Sequence, residues 1–224
     1  MIIASKKETF KILDKYGLIA KKGYGQNFII NYETIKNIVK GSRITDKTLV
    51  IEIGPGLGAL TQELLNVSKK VIAVEIDKKM IEVLNDNFND FNNLLIINSD
   101  FMKVDLNKLI EEYPDYDDVI IVSNLPYYIT SDILEKIISL NHPKIKRVIA
   151  MMQKEVGKKL LKKEDKIESY LKVLVDNYCD VSTVMYVGKN DFEPRPKVDS
   201  IVLEFLLNKD KYCLDYYFLE IIKE

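Results

Sequence analysis

The chain has 224 residues, of which 47% are apolar and 30% charged, and its formal net charge at pH 7 is −1. These values are typical of a folded domain and exclude a disordered chain. No apolar run reaches the roughly 20 residues that span a bilayer, so we expect a cytoplasmic protein without membrane contact. Cys179, Cys213 and the single histidine, His142, have no metal-ligand spacing, and no metal site or histidine-based triad is predicted.

The N-terminal part of the chain carries two helical signals. Ser5 begins a capping-box pattern, and Gly17 is a typical stop for the helix that follows. Asn31 is placed to cap a second helix, which we expect to end at Gly41. The segment between them, KKGYGQNFII (21–30), has the composition of a loop.

From residue 49 onwards, short runs rich in Val and Ile alternate with longer segments of helical spacing. Such runs are typical of strands buried on both faces, and the alternation predicts a parallel, doubly wound sheet. The runs are LVIEIG (49–54), VIAVEID (71–77), LLIINSD (94–100), DVIIVSN (118–124) and RVIAMMQ (147–153).

Two further strand candidates follow a lysine-rich helix and a second helix. They are DVSTVMYV (180–187) and VDSIVLEFLL (198–207), and their close succession predicts an antiparallel pair at the sheet edge. We therefore expect one domain over residues 1–207, with residues 1–45 as its N-terminal helical segment and 208–224 as a short C-terminal remnant.

Two segments of the chain are dense in lysine, residues 5–22 and 153–166. The low net charge argues mildly against a nucleic-acid partner, because phosphate binding usually leaves a basic imbalance. Local charge matters more than the sum, and both a solvated helix face and RNA contact remain open for these segments.

A glycine-rich loop, IEIGPGLGAL (51–60), leaves the first strand and enters a helix. Gly54, Gly56 and Gly58 allow a tight turn and let a ligand approach the main chain. With Ala59 at the third position, the loop also fits the dinucleotide fingerprint. The motif alone does not choose between cofactors.

Polar side chains end the next three strands. Glu75 follows Gly54 by about 20 positions, where a carboxylate accepts both hydroxyls of an adenosine ribose. Asp100 ends the third strand and could accept the adenine amine, and Asn124 ends the fourth. Either acid alone would fit a helix cap. Their series at one sheet edge, beside the glycine loop, indicates an adenosine-containing cofactor.

The fourth strand leads into Asn124-Leu125-Pro126-Tyr127. An exocyclic adenine amine has its lone pair delocalised into the ring, so an enzyme that methylates it must accept its hydrogens while the nitrogen becomes tetrahedral. The Asn124 side-chain oxygen and the Leu125 carbonyl can both accept. Pro126 stiffens the loop, and Tyr127 offers a face for stacking the base. A plain turn before a helix is the alternative, and the cofactor loop on the same sheet favours catalysis.

Seven segments occur in the order and approximate spacing of the small-subunit ribosomal RNA adenine N6-dimethyltransferases, the family linked to kasugamycin sensitivity. They are GQNFI, EIGPGLGALT, EID, NSD, NLPYYITS, MMQKEV and FEPRPKVDS. The chain resembles this family over roughly residues 20–207. The related macrolide-resistance methyltransferases of large-subunit RNA share the fold and the Asn-aromatic loop, but PKVDS and MMQKEV are more similar to the ribosome-biogenesis branch.

The resemblance implies a Rossmann-like α/β methyltransferase that uses S-adenosylmethionine and has a mostly parallel seven-stranded sheet with an antiparallel edge pair. Asn27 and Ile29 would close over the cofactor, and Phe192 would stack on a flipped target base opposite Tyr127. The implied cofactor contacts are Asn27, Ile29, Gly54, Gly56, Glu75, Ile76, Asp100, Phe101 and Asn124.

The implied reaction is dimethylation of adenine N6 by a monomer that acts on small-subunit ribosomal RNA or an immature small ribosomal subunit. Three alternatives stay open: a large-subunit methyltransferase, a non-catalytic assembly factor, and a nicotinamide-dependent oxidoreductase. The oxidoreductase gives no role to residues 124–127, and retention of every expected site residue argues against a non-catalytic platform.

The chain departs from the family pattern in three respects. Glu168-Ser169 stands where family members carry Tyr-Gly, the family's C-terminal helical domain is largely missing, and the net charge is low for an RNA enzyme. These departures suggest a shortened or reduced member, or one that needs a preformed ribosomal particle for affinity.

Overall fold

The computed structural model describes residues 2–20, 25–162 and 169–208. The helices in these ranges are α1 (Lys6–Lys15), α2 (Tyr32–Ser42), α3 (Ala59–Val67), α4 (Lys78–Phe88), α5 (Leu106–Glu111), α6 (Thr130–Leu140), α7 (Lys154–Leu161) and α8 (Tyr170–Tyr178). The strands are β1 (Phe28–Ile29), β2 (Thr48–Ile53), β3 (Lys70–Glu75), β4 (Leu94–Asn98), β5 (Asp118–Asn124), β6 (Ile145–Gln153), β7 (Cys179–Val187), β8 (Phe192–Glu193) and β9 (Ser200–Leu207).

A seven-stranded sheet in the order β4-β3-β2-β5-β6-β9-β7 forms the centre of the fold. Strands β2 to β6 pair in parallel, while β9 is antiparallel to both β6 and β7. The predicted parallel sheet and antiparallel edge pair are confirmed, with β9 inserted between β6 and β7. The strand order reverses between β2 and β5, and ligands of such sheets bind at the carboxyl ends of the strands near this point.

Apolar layers cover both faces of the sheet. Leu49 and Ile51 of β2 pack into the layer formed with α5 to α8, whereas Val50 packs into the layer formed with α1 to α4. Because successive side chains of a strand point to opposite faces, a strand covered on both sides must be apolar throughout. This explains the unbroken Val and Ile runs.

The N-terminal helices begin as predicted. The Ser5 hydroxyl accepts from the Glu8 N–H at 3.3 Å, and Asn31 caps α2 through the N–H of Glu33 at 3.0 Å. The predicted end of α2 at Gly41 is wrong, because the helix continues to Ser42. A Cβ atom at position 41 would lie 2.6 Å from Val184 Cγ1, so close packing of α2 on β7 explains this glycine.

A second, two-stranded sheet joins segments that are far apart in sequence. Strand β1 pairs antiparallel with β8, with Phe28 opposite Glu193 and Ile29 opposite Phe192. The predicted loop over residues 21–30 therefore includes a short strand, which ties the GQNFI segment to the FEPRP segment. Strands of two residues carry no periodicity, so the sequence gives no signal for this pairing.

Several sequence expectations fall partly or wholly outside the described residues. Residues 209–224, which form all but the first residue of the expected C-terminal remnant, are among them, as is Glu168. Ser169 is described, and its hydroxyl caps α8 by accepting from the Lys172 N–H at 3.2 Å. The Ser of the Glu-Ser departure therefore supplies a helix cap.

In the part of the chain that the structure describes, no helix has the length and apolarity to cross a membrane. The same residues contain no group of three or more His, Cys, Asp or Glu side chains arranged to hold a metal ion.

Gly157 is required by the packing of α7 on the sheet. A Cβ atom there would lie 2.3 Å from Cγ2 of Ile201, a β-branched side chain held in β9. Alanine normally favours a helix over glycine by up to about 1 kcal/mol, but overpacking costs about 1–3 kcal/mol. We therefore expect Gly157→Ala to lower the free energy of unfolding, measured by urea denaturation.

Gly188→Ala is the matched control, since a Cβ atom added there would have nothing within 4 Å and the φ of Gly188 is −72°. This variant should unfold at the wild-type urea concentration. A Gly157→Ala protein as stable as Gly188→Ala would contradict the packing role.

Candidate active site

A cavity opens at the carboxyl edge of the sheet, where the order reverses between β2 and β5. Most of the predicted site residues line it: Asn27, Ile29, Gly54, Gly56, Glu75, Ile76, Asp100, Phe101, Asn124 and Pro126. Leu125, Tyr127 and Phe192 do not. The fold thus gathers the predicted cofactor residues and only part of the predicted target set.

The glycine loop forms one wall of this cavity. Gly54 and Gly56 have φ of +64° and +57°, a region that side chains disfavour. A Cβ atom on Gly56 would lie 3.3 Å from the Phe28 ring, so any side chain would narrow the space between the loop and β1. Gly58 has a different purpose, because its Cβ would meet Phe88 at 2.4 Å.

Glu75 is held by main-chain groups on both sides. Its Oε2 accepts from the Gly56 N–H at 3.2 Å and its Oε1 from the Asp77 N–H at 2.9 Å. Burial raises the pKa of Glu75, and these N–H groups oppose the rise. Asp77, not Glu75, caps α4. The Ile76 N–H is a third donor to this carboxylate, and the acceptor capacity that remains suits a ribose hydroxyl.

Asp100 caps the turn that follows β4 and also lines the cavity. Its Oδ1 accepts from the Met102 N–H at 2.9 Å and so caps the single 3-10 turn over Phe101–Lys103. The cap occupies one oxygen of the carboxylate. Asp100 and Phe101 both line the cavity at the end of β4, where an adenine amine was predicted to bind.

The Asn124 side chain is oriented by Asn27, which also lines the cavity. Its Nδ2 donates to the Asn27 carbonyl at 3.1 Å, which leaves Oδ1 as the acceptor. Leu125 has its side chain buried, and its N–H donates to the Met151 carbonyl at 3.1 Å. The Leu125 carbonyl, which is predicted to accept from the target amine, takes part in neither of these contacts. The Pro126 carbonyl accepts from the Thr130 hydroxyl at 3.1 Å and so joins the loop to α6.

The two aromatic residues predicted to stack on a base do not face the cavity in this structure. The Tyr127 hydroxyl lies 2.6 Å from Ser200 Oγ, and burial raises its pKa. Phe192 is only 1% exposed, because β8 pairs with β1 and its ring packs into the apolar layer beneath. The predicted stacking by Phe192 is therefore not met here. Tyr128, which lines the cavity and is 56% exposed, was not predicted.

Glu52 is a second cavity residue that was missed. It is 1% exposed, and its Oε2 has no hydrogen-bond partner among the described residues. Burial raises its pKa to about 8. The signal was present in the sequence, since a carboxylate inside the apolar run LVIEIG needs an explanation.

Comparison with known proteins decides the family. The family model described as ribosomal RNA adenine dimethylase matches residues 17–222. The chain belongs to the ribosomal RNA adenine dimethylase family. Its Rossmann-like methyltransferase fold is thereby confirmed.

Relatives at the sequence level carry small-subunit names. The Ribosomal RNA small subunit methyltransferase A of Bacillus pumilus is 40% identical over 226 residues, a match covering 99% of this chain and 77% of the relative. The protein of the same name from Staphylococcus aureus is 42% identical over 206 residues, covering 91% and 69%.

Two solved structures of transferases are similar to this chain. A dimethyladenosine transferase from Plasmodium falciparum has a TM-score of 0.74 at 28% identity, covering 87% of this chain and 68% of that one. The 23S rRNA methyltransferase ErmE has a TM-score of 0.71 at 27% identity, covering 87% and 75%. The fold alone therefore does not identify the substrate.

The cavity fits S-adenosylmethionine, the predicted cofactor of the dimethylase family. Gly56 leaves room that a Cβ would fill, and the Glu75 carboxylate suits a ribose. Glu52 Oε2, which has no hydrogen-bond partner among the described residues, suits a cationic ligand. The residues that would hold the cofactor thus lie on or next to β1, β2, β3, β4 and β5.

Proposed function

We propose that the chain transfers two methyl groups from S-adenosylmethionine to the N6 atom of adenine in small-subunit ribosomal RNA. The observation that carries this proposal is the Asn124 amide, which lies in the cavity with its NH₂ group engaged and its oxygen left as an acceptor. The names of the sequence relatives support the small subunit, and the name of the Plasmodium structure supports dimethylation.

The loop after β5 lowers the barrier by accepting hydrogen bonds from the target amine. Bound S-adenosylmethionine supplies a methyl group on a sulfonium, whose thioether is a good leaving group. Asn124 Oδ1 and the Leu125 carbonyl accept the two amine hydrogens, which lets the nitrogen become tetrahedral. The Asn27 carbonyl keeps the amide in that orientation, so little reorganisation is needed. After the methyl group has bonded to nitrogen and the thioether has left, the cationic amine releases one proton to solvent. A single N–H then remains, and one acceptor suffices for the second transfer.

The alternatives receive less support. A non-catalytic platform would not need an oriented Asn124 amide. A nicotinamide-dependent enzyme would use the glycine loop but would not need the loop formed by residues 124–127. A large-subunit methyltransferase would use the same site geometry, so only the names of the sequence relatives argue against a large-subunit substrate. We propose in addition that the working partner is an immature small ribosomal subunit and that the enzyme acts as a monomer.

Mass spectrometry of RNA after incubation with enzyme and S-adenosylmethionine tests the reaction. Immature small subunits should yield doubly methylated adenine, with the singly methylated form as an intermediate. Naked large-subunit RNA, offered as a competitor, should stay unmodified. Modification of the large-subunit RNA alone would overturn the proposed substrate.

Tyr128 lines the cavity and has an exposed side chain, and we predict that it stacks on the target base or its neighbour. Base–aromatic stacking contributes about 1–3 kcal/mol per base. Tyr128→Ala should therefore raise KM for the ribosomal particle about tenfold, with a smaller effect on KM for S-adenosylmethionine. Tyr128→Phe keeps the ring and should behave like the wild type.

Tyr186→Ala is the matched control for this prediction. Tyr186 is also 56% exposed, but it lies on β7 away from the cavity lining. Equal KM values for the two alanine variants would argue against stacking by Tyr128.

A further inference from the structure

Lys136, in the second turn of α6, reaches across to the turn that follows β4. Its ammonium group donates to the carbonyls of Phe101 at 2.8 Å, Met102 at 2.9 Å and Val104 at 2.7 Å. An ammonium group has three N–H donors, so all are used. The same nitrogen lies 5.1 Å from the centroid of the Phe101 ring, within the range of a cation–π contact.

The turn that Lys136 binds is also held by the buried Phe101 ring and by local hydrogen bonds. Its own bonds are short-range ones: Asp100 caps Met102, and the Val104 N–H donates to the Phe101 carbonyl at 3.1 Å. Carbonyls of a 3-10 turn point outward and need partners. Lys136 supplies three partners at once, with charge-assisted hydrogen bonds that are stronger than those of water or a neutral amide.

The other end of α6 is joined to the target loop. The Thr130 hydroxyl, in the first turn of α6, donates to the Pro126 carbonyl at 3.1 Å, and Ile133 lines the cavity. A single helix of about 16 Å therefore contacts both the loop that presents Asn124 and the turn that presents Asp100. Burial lowers the pKa of Lys136, whereas Asp100 and Asp105 oppose the fall.

We propose that Lys136 is a positioning residue that sets the adenine-contacting turn on α6, and so fixes the cofactor's purine relative to the loop that holds the target amine. The inference rests on the proposed function, in which Asp100 and Phe101 contact the adenine. Without the ammonium group, three carbonyls lose a charge-assisted hydrogen bond and only that of Phe101 keeps a bond within the turn, from the Val104 N–H, so the turn can leave the position in which the Asp100 carboxylate meets a purine.

The test uses the full chain and measures cofactor binding without RNA. Isothermal titration calorimetry gives Kd for S-adenosylhomocysteine and for its analogue in which hypoxanthine replaces adenine. The variants are Lys136→Met, which keeps the apolar stem, and Lys136→Arg, which keeps the charge with a different donor geometry. Thermal unfolding of each variant is recorded alongside.

Lys144→Met is the matched control. Lys144 is also half-buried, and it donates to a loop carbonyl, that of Pro114, at 3.1 Å. It lies beyond the C-terminal end of α6, away from the turn after β4. This variant should bind both ligands as the wild type does.

The expected result is a Kd for S-adenosylhomocysteine raised about tenfold in Lys136→Met and less in Lys136→Arg. The wild-type preference for adenine over hypoxanthine should shrink to below about threefold in Lys136→Met, since a displaced carboxylate no longer reads the exocyclic amine. A role limited to stability would lower the unfolding temperature and leave this preference intact.

Unchanged Kd and unchanged purine preference in a folded Lys136→Met protein would overturn the inference. If that variant does not fold, a Lys136→Gln protein, which lacks the charge and one of the three donors, would overturn it equally by wild-type binding and preference. A wild-type protein without purine preference would overturn the placement of adenine at this turn and this role for Lys136 with it. Failure of the proposed function would appear separately, as absent methyl transfer by a wild-type protein that binds cofactor.

Discussion

Replacing Asn124 by alanine is expected to lower the rate of methyl transfer about 10²–10³-fold, the range seen when one preorganised hydrogen-bonding group is removed from a transition state. The variant loses the Oδ1 acceptor and also the bond from Nδ2 to the Asn27 carbonyl. Single-turnover incorporation of labelled methyl groups into immature small subunits measures the rate. Binding of the variant to the subunit should stay within about threefold of wild type, because Asn124 acts on one amine.

Two further variants separate the functions of the Asn124 side chain. Asn124→Asp keeps an acceptor oxygen but cannot donate to the Asn27 carbonyl, so its rate should fall between those of wild type and alanine. Asn93→Ala is the control, because Asn93 makes the same kind of bond, to the carbonyls of Leu65 at 3.0 Å and Ser68 at 2.9 Å, at the opposite edge of the sheet. Wild-type incorporation by Asn124→Ala would remove the mechanism.

Sequence patterns could predict the sheet and the cofactor half of the site because both depend on local signals. The runs of Val and Ile indicate strands that are buried on both faces. Each cavity residue from Gly54 to Asp100 lies at the end of such a strand, or in the turn or the start of the helix that follows it. Parallel strands bring those ends together by topology alone. The position of Asn124 follows in the same way.

The target half could not be predicted to the same degree, because it depends on contacts between distant segments. Whether Phe192 faces the cavity is decided by the pairing of β8 with β1, and whether Tyr127 does is decided by its bond to Ser200. Neither contact is indicated by a periodicity or a composition in the sequence. Tyr127 and Tyr128 are adjacent residues of the same type, so the geometry of the turn, and not the residue type, determines which of them lines the cavity.

The three hydrogen bonds from Lys136 to the turn after β4 are also contacts between distant segments of the chain. A lysine on the polar side of a predicted helix is ordinarily a solvated residue. Its three carbonyl partners become visible only when α6 is placed beside the turn after β4.

Glu52→Gln is expected to stabilise the cofactor-free protein, with a marked dependence on pH. The ordinary pKa of this carboxyl is 4.5, and burial raises it to about 8 in the folded protein. Below about pH 4.5 both the folded and the unfolded chain hold the proton, and no cost arises. Between about 4.5 and 8 only the unfolded chain releases it, so the free energy of unfolding falls as pH rises. Above about 8 the loss is constant.

The size of the effect follows from that interval. At 1.36 kcal/mol per pH unit, ionisation of the unfolded chain costs the folded state about 3 kcal/mol at pH 7. Glu52→Gln should therefore raise the free energy of unfolding by about 3 kcal/mol near pH 7 and by little near pH 4, measured by urea denaturation. Glu33→Gln, on the exposed side of α2, should change it by less than about 0.5 kcal/mol at either pH.

The gain in stability should be offset by a loss of cofactor affinity. S-adenosylmethionine carries a sulfonium and an ammonium group, so binding in the cavity favours ionised Glu52, whose Oε2 has no partner among the described residues. Affinity of the wild type should rise between about pH 6 and pH 8, while Glu52→Gln should bind about tenfold more weakly at pH 8 without that rise. Equal affinity of the two proteins at pH 8 would show that the carboxyl serves no cation. A buried acid that costs stability without a ligand is otherwise hard to account for, since glutamine has the same shape and no charge to bury.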